Sequence, residues 1–391
     1  MGGEEAGGWG GGKGAAGSAG SRWSAVEGLK PAAGMVVIQI VFAGVNVFYK
    51  LAINDGMDMR ILVAYRYLFA TASLGPFAFF LERKTRPRLT WKILIQAFFC
   101  GLFGGTLAQN LYVSSIKLTS ATFASAMTNL IPAITFIMAV MFRLESLRIR
   151  SSSGKAKLLG TLIGVSGAMI LTFFKGKELN LSTSINLLKP HSSSAAGVPP
   201  QYEPGNRVLG SIMAIASCFS YAIWLIIQAK MIQAYPCHYS STALMCLMGS
   251  IQAAIFALCM GTNWEQWRMG FGIRLYSVAY SGVVASGLIL SVLAWCIKKK
   301  GPLYASVFNP LMLVVVAIFG SLFLNEKLHV GSVVGAALIV VGLYSVLWGK
   351  RKEGDTAKVV ESHAGAIDVV VEPRELQNGS GLPASGAEPP K

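Results

Sequence analysis

Residues 301–350 read GPLYASVFNPLMLVVVAIFGSLFLNEKLHVGSVVGAALIVVGLYSVLWGK, two apolar blocks near 303–324 and 329–349 parted by a short polar run. Each block is about twenty residues long, enough to cross a hydrocarbon core of about 30 Å, and neither shows the single apolar stripe of a surface helix. Working outward from this pair, eight further blocks lie near 32–52, 60–81, 92–112, 120–142, 157–175, 209–230, 239–260 and 275–297. Of the 391 residues 53% are hydrophobic and only 13% charged, where a soluble domain carries roughly a quarter charged residues. With a mean hydropathy of +0.54, the pattern predicts an all-α membrane protein of ten transmembrane helices.

The net charge of +16 does not point to nucleic acid, because Lys and Arg sit in short clusters between the blocks. Alternate loops carry them with roughly a two-to-one bias, which orients the chain with both termini in the cytoplasm. The six cysteines lie in or beside the spans without paired loop spacing and read as small buried residues, neither a disulfide framework nor a metal site. Residues 1–31 are rich in Gly, Ala and Ser and read as a disordered cytoplasmic arm without the pattern of a signal peptide. Residues 353–391 are polar and acidic and read as a disordered cytoplasmic tail.

The chain also repeats itself. An offset of 181 sets Ala124 on Ala305, Ser125 on Ser306, Leu130 on Leu311, Phe142 on Phe323 and Glu145 on Glu326. Gly160 and Gly164 then match Gly331 and Gly335 once loop residues are skipped. This divides the membrane part into a first five-helix repeat at 32–175, a non-cytoplasmic loop at 176–206 and a second five-helix repeat at 207–352. An odd number of helices per repeat inserts the second half upside down, and inverted repeats are a transporter architecture.

Across about 32–352 the chain resembles plant members of the drug/metabolite transporter superfamily. The likeness is to the nodulin-21-like or "walls are thin"-related group, which includes the usually-multiple-acids-move-in-and-out transporters and is built from two EamA-type repeats. The segments that carry it are YRYLFATASLGPFAFFLERKTRP, SATFASAMTNLIPAITFIMAVMFRLESL, QAYPCHYSSTALMCLMGSIQAA and the stretch at 301–350. The resemblance implies export or facilitated movement of amino acids or of auxin-like carboxylates, in the plasma membrane or the vacuolar membrane. No cofactor is expected, and a homodimer is left open.

Within the spans the residue types narrow the mechanism. No Asp or Glu lies away from a span end and the four histidines fall in loops or tail, so a buried proton relay is missing and a facilitator is favoured. The same lack removes the ligand sets and nucleophile-base pairs of an intramembrane enzyme. Arg66 is the one charge well inside a span, about 9 Å deep at a rise of about 1.5 Å per residue. It either offers its planar fork to a substrate carboxylate, with Tyr65 and Tyr67 beside it, or snorkels to headgroups. Asn129 precedes Pro132 in the fourth span and Asn309 precedes Pro310 in the ninth, at nearly matched places. Interrupted helices in matched positions point to a midplane site, the alternative being packing kinks with Asn as interhelical glue. Asn46, Gln109 and Trp224 complete the candidate substrate-binding set, each with a structural alternative as a bridge or space-filler. A membrane-embedded receptor or scaffold that binds a small ligand without moving it is the competing function.

Overall fold

The computed structural model describes residues 13–119, 121–145, 150–174, 178–179, 204–260, 264–323 and 328–371. Among these, nine helices are long and apolar enough to cross a membrane, and a shorter apolar helix over Pro302–Ile318 makes a tenth rod. In chain order they are α1 (Lys13–Asn54), α2 (Met59–Leu81), α3 (Trp91–Cys100, Gly101–Leu107 and Ala108–Leu118), α4 (Ala121–Thr128 and Ile131–Met141), α5 (Ser152–Phe173), α6 (Pro204–Ala234), α7 (His238–Cys259), α8 (Ile273–Ala279, Tyr280–Ile289 and Leu290–Lys300), α9 (Pro302–Val307 and Asn309–Phe323) and α10 (Val330–Val371). Glu178–Leu179 and Leu328–His329 form a two-residue antiparallel pairing that joins the loops after α5 and before α10.

Capping chemistry sets several of these ends. The Asp58 carboxylate accepts from the Arg60 N–H at the start of α2, and the Ser151 hydroxyl accepts from the Gly154 N–H at the start of α5. Gly301, at φ +86°, ends α8 in a conformation that favours glycine, and Pro302 opens α9 at a position where its missing N–H is no loss.

Two boundaries differ from the sequence expectation. The disordered arm was expected to run to residue 31, whereas α1 already begins at Lys13. The disordered tail was expected from residue 353, whereas α10 continues to Val371. Extending an existing helix fixes one residue per added hydrogen bond, so composition that cannot nucleate a helix can still prolong one. Residues 1–12 and 372–391 of those two segments, and Glu326 of the repeat, lie outside the described residues.

Small residues decide which helices touch. α5 and α10 meet along glycines: a Cβ on Gly342 would fall 2.5 Å from the Gly164 backbone, and one on Gly160 would fall 2.7 Å from the Gly342 carbonyl. In α3, a Cβ on Gly101 would fall 2.7 Å from the Gly249 backbone of α7. Small residues at such seams let two helix backbones approach closely. Phe80, Leu159, Leu162, Ile255, Val340 and Val341 stay exposed on the bundle surface, as a lipid-facing belt requires. Five cysteines are buried, while Cys259 is exposed at the end of α7, a departure from the expectation that all six are buried.

One end of the bundle is rich in lysine and held by ions. The Lys157 side chain, fully buried in α5, donates to Glu145 at 3.3 Å and to Glu353 at 2.5 Å. Lys350 pairs with the same Glu145 and donates to the Lys300 carbonyl at 2.8 Å. Glu82, at the end of α2, accepts from the Tyr239 and Ser240 N–H groups at 3.1 and 2.7 Å, capping α7. At the opposite end Arg274 bonds Asp55 at 2.7 Å.

Candidate functional site

Four interruptions of the helical ladder occur in two matched pairs. Pro132 and Pro310 cannot donate, which frees the carbonyls of Thr128 and Ser306 four residues earlier. α4 breaks at Asn129 and Leu130, whose N–H groups bond Ala126 and Met127 in a tighter turn, and α9 breaks at Phe308. The second pair consists of the wider π-helical stretches Gly101–Leu107 in α3 and Tyr280–Ile289 in α8. The offset of 181 that aligns the repeats also sets Gly101 on Gly282, so these stretches correspond. π-Helical turns mark places where one helix is re-aimed, frequently at functional sites.

The interruptions surround one polar cluster. Arg66 of α2 is only 6% exposed. Its Nε donates to the Ser286 hydroxyl at 2.5 Å and its Nη1 to the Tyr49 hydroxyl at 2.8 Å. Its guanidinium lies 5.9 Å from the Tyr49 ring centre and 5.6 Å from that of Tyr67, within cation–π range. Ser286 belongs to the second π-helical stretch, and the Tyr67 hydroxyl reaches the Gly104 carbonyl of the first at 3.4 Å. No described carboxylate lies within ion-pair distance of Arg66.

α6 ties the cluster to the broken helices through one face. Cys218 approaches the Met127 carbonyl, Tyr221 shares a side-chain hydrogen bond with Asn309, and Trp224 packs on Tyr221 edge to face at 5.0 Å. The indole also rests on Gly104, where a Cβ would fall 2.5 Å from it, and its Nε1–H points to the Met245 sulfur at 3.1 Å. Gly104 therefore has a reason to be glycine.

The sequence candidates fare differently. Arg66, Trp224 and Asn309 come together through Tyr49, Tyr67, Ser286 and Tyr221. Arg66 does not snorkel, because hydroxyls inside the bundle satisfy it. Tyr65, expected beside it, turns away and donates to the Trp267 carbonyl at 2.9 Å, since successive helical residues point about 100° apart. Asn129 is buried at the α4 break with Nδ2 lacking an acceptor among the described residues. Asn46 is exposed on α1 and approaches the Met312 sulfur of α9 at 3.5 Å, while Gln109 is half-buried in α3 with no described hydrogen bond. Tyr49, Ser286 and Tyr221 escape a reading of the sequence, although the glycines at Gly101, Gly104, Gly105, Gly282 and Gly287 flag the segments that surround them.

Two narrow crevices run between the described helices. One is lined by Trp224, Gln228, Thr242, Met245 and Leu293, the other by Pro132, Pro310, Gly164 and Ile339. Among the described residues no group of His, Cys, Asp or Glu could hold a metal ion.

Comparison with known proteins speaks to family and fold. A family model described as the EamA-like transporter family matches residues 30–173 and 208–348. A WAT1-related protein of Arabidopsis thaliana is 41% identical over 336 residues, 86% of this chain and 94% of its own length. Another from the same plant is 43% identical over 352 residues, covering 88% and 90%. The Arabidopsis thaliana protein WALLS ARE THIN 1 is 39% identical over 336 residues, covering 85% and 86%. A solved structure titled only "Crystal structure of protein" aligns with a TM-score of 0.61 over 84% of this chain and 98% of its own, at 15% identity, which speaks to the fold alone.

Proposed function

The chain belongs to the EamA-like transporter family, in its WAT1-related group, and on that premise we propose that it is a facilitator for small carboxylated solutes, amino acids or indole acids. As a member of a transporter family it is a multi-pass membrane carrier of small solutes, not an enzyme. The observation that carries the substrate class is Arg66, buried and bonded to neutral hydroxyls. A buried charge without a counter-ion is expensive, and a solute carboxylate would supply one in the bidentate geometry that guanidinium favours. Tyr49 and Tyr67 would flank that carboxylate, and Trp224 and Tyr221 offer aromatic surface to the rest of the solute.

Transport follows from rocking of the halves about the cluster. The breaks at Asn129 and Phe308 and the two π-helical stretches are where the backbone can absorb such a change. The partners that reach Arg66 are hydroxyls and rings, not acids, which favours movement down the solute gradient over proton coupling. In this reading both termini face the cytoplasm, in the plasma or the vacuolar membrane, so the lysine-rich end is the inner end.

The test is counterflow of labelled amino acids and indole-3-acetate into proteoliposomes, with and without a pH gradient. Gradient-independent uptake of a carboxylate is expected. Uptake only under a gradient would sink the facilitator, and saturable binding without uptake would favour a receptor.

A further inference from the structure

The crevice between α6, α7 and α8 starts at the Arg66 cluster and leads away from it. Trp224 forms its upper wall, Gln228 lies one turn further along the same face of α6, about 6 Å toward the lysine-rich end, and Ile297 of α8 lies beside its mouth. Gln228 is the anomaly among these walls. It is 3% exposed, and its Oε1 has no hydrogen-bond partner among the described residues. A buried acceptor left unmatched is unfavourable, and buried polar groups in native proteins are nearly always paired. Thr242 on the facing wall gives its hydroxyl proton to the His238 carbonyl at 2.8 Å, so it does not relieve the amide.

Next to Ile297, at the lysine-rich end, a surface contact joins α8 to the α6–α7 turn. Lys298 directly follows Ile297, and its exposed Nζ donates to the Pro236 carbonyl of the α6–α7 turn at 3.3 Å. This bond ties the end of α8 to that turn.

We propose that this crevice is the cytoplasmic half of the solute route. Gln228 is a second station on it, accepting a hydrogen bond from an N–H donor on the solute, an ammonium or a ring N–H. The inference rests on the transporter reading above and adds a path, a polarity and a gate. A solute released from Arg66 toward the cytoplasm passes Trp224, meets the Gln228 oxygen and leaves when Lys298 lets go of Pro236.

The first experiment needs no known substrate. Full-length Gln228→Cys protein in sealed vesicles of known orientation is exposed to a small charged methanethiosulfonate from either side, and the adduct at position 228 is read by peptide mass. Modification from the cytoplasmic side alone is expected, several-fold faster when Lys298→Ala is added. Cys237, near the same mouth, is an internal control that reacts slowly, because burial and the neighbouring Glu82 hold its thiol above the ordinary range. No adduct from either side, or an adduct formed from the outer side, would overturn the route. A second experiment compares counterflow by Gln228→Leu and Arg66→Ala protein. Several-fold slower uptake of N–H-bearing solutes by Gln228→Leu, with an N-methylated analogue unaffected, supports the station. Loss in Arg66→Ala with wild-type behaviour in Gln228→Leu would remove the station and leave the transporter reading standing.

Discussion

Arg66 and Lys157 are both buried cations in one bundle, at 6% and 0% exposure, yet their surroundings are opposite. Lys157 sits at the lysine-rich ends of α5 and α10 with Glu145 and Glu353 within ion-pair distance, and Lys350 shares Glu145. Arg66 sits between the two π-helical stretches and has only hydroxyls and aromatic rings as described partners. Compensated charge holds helices together, whereas a buried charge met only by neutral groups is suited to a ligand that brings the opposite sign. The same residue class thus serves fold in one place and function in the other.

This comparison can be broken from the fold side first. Glu145→Ala leaves Lys157 and Lys350 buried without the carboxylate between them and should lower stability by about 3–5 kcal/mol, read as an earlier thermal transition in detergent. Gly342→Ala, in the seam that carries Lys157 at its end, should cost about 1–3 kcal/mol because the added methyl meets the α5 backbone. Its solute affinity should stay near wild type. From the function side, Arg66→Lys keeps the charge but loses the planar fork, so a roughly tenfold weaker KM for carboxylates is expected with an unchanged melting transition. Ser286→Ala removes one orienting hydroxyl worth about 1 kcal/mol and should raise KM a few-fold in the same assay. A melting transition that falls further in Arg66→Lys than in Gly342→Ala would erase the distinction between the two cations.

Much of this was legible in the chain because it is written locally. Block length marked the spans, and Asn129–Pro132 with Asn309–Pro310 marked the matched breaks, whereas the pairing of α5 with α10 came only from the fold. Arg66 stood out because charge in an apolar span is rare. Its partners did not, since Tyr49 and Ser286 are ordinary residues brought in from α1 and α8 by tertiary packing, Ser286 from 220 positions away. Lys157 and Glu145 read as boundary charges, and only the fold turns them inward onto α10. The π-helical stretches lay between, visible as glycine clusters at the repeat offset but readable as simple packing faces.

The most direct test of the central claim is counterflow of a carboxylated solute against its uncharged amide, in proteoliposomes holding equal amounts of folded wild-type or Arg66→Ala protein. The account predicts that wild type carries the carboxylate well and the amide poorly, and that Arg66→Ala loses the carboxylate flux at least tenfold. Equal carboxylate flux through both proteins would contradict it.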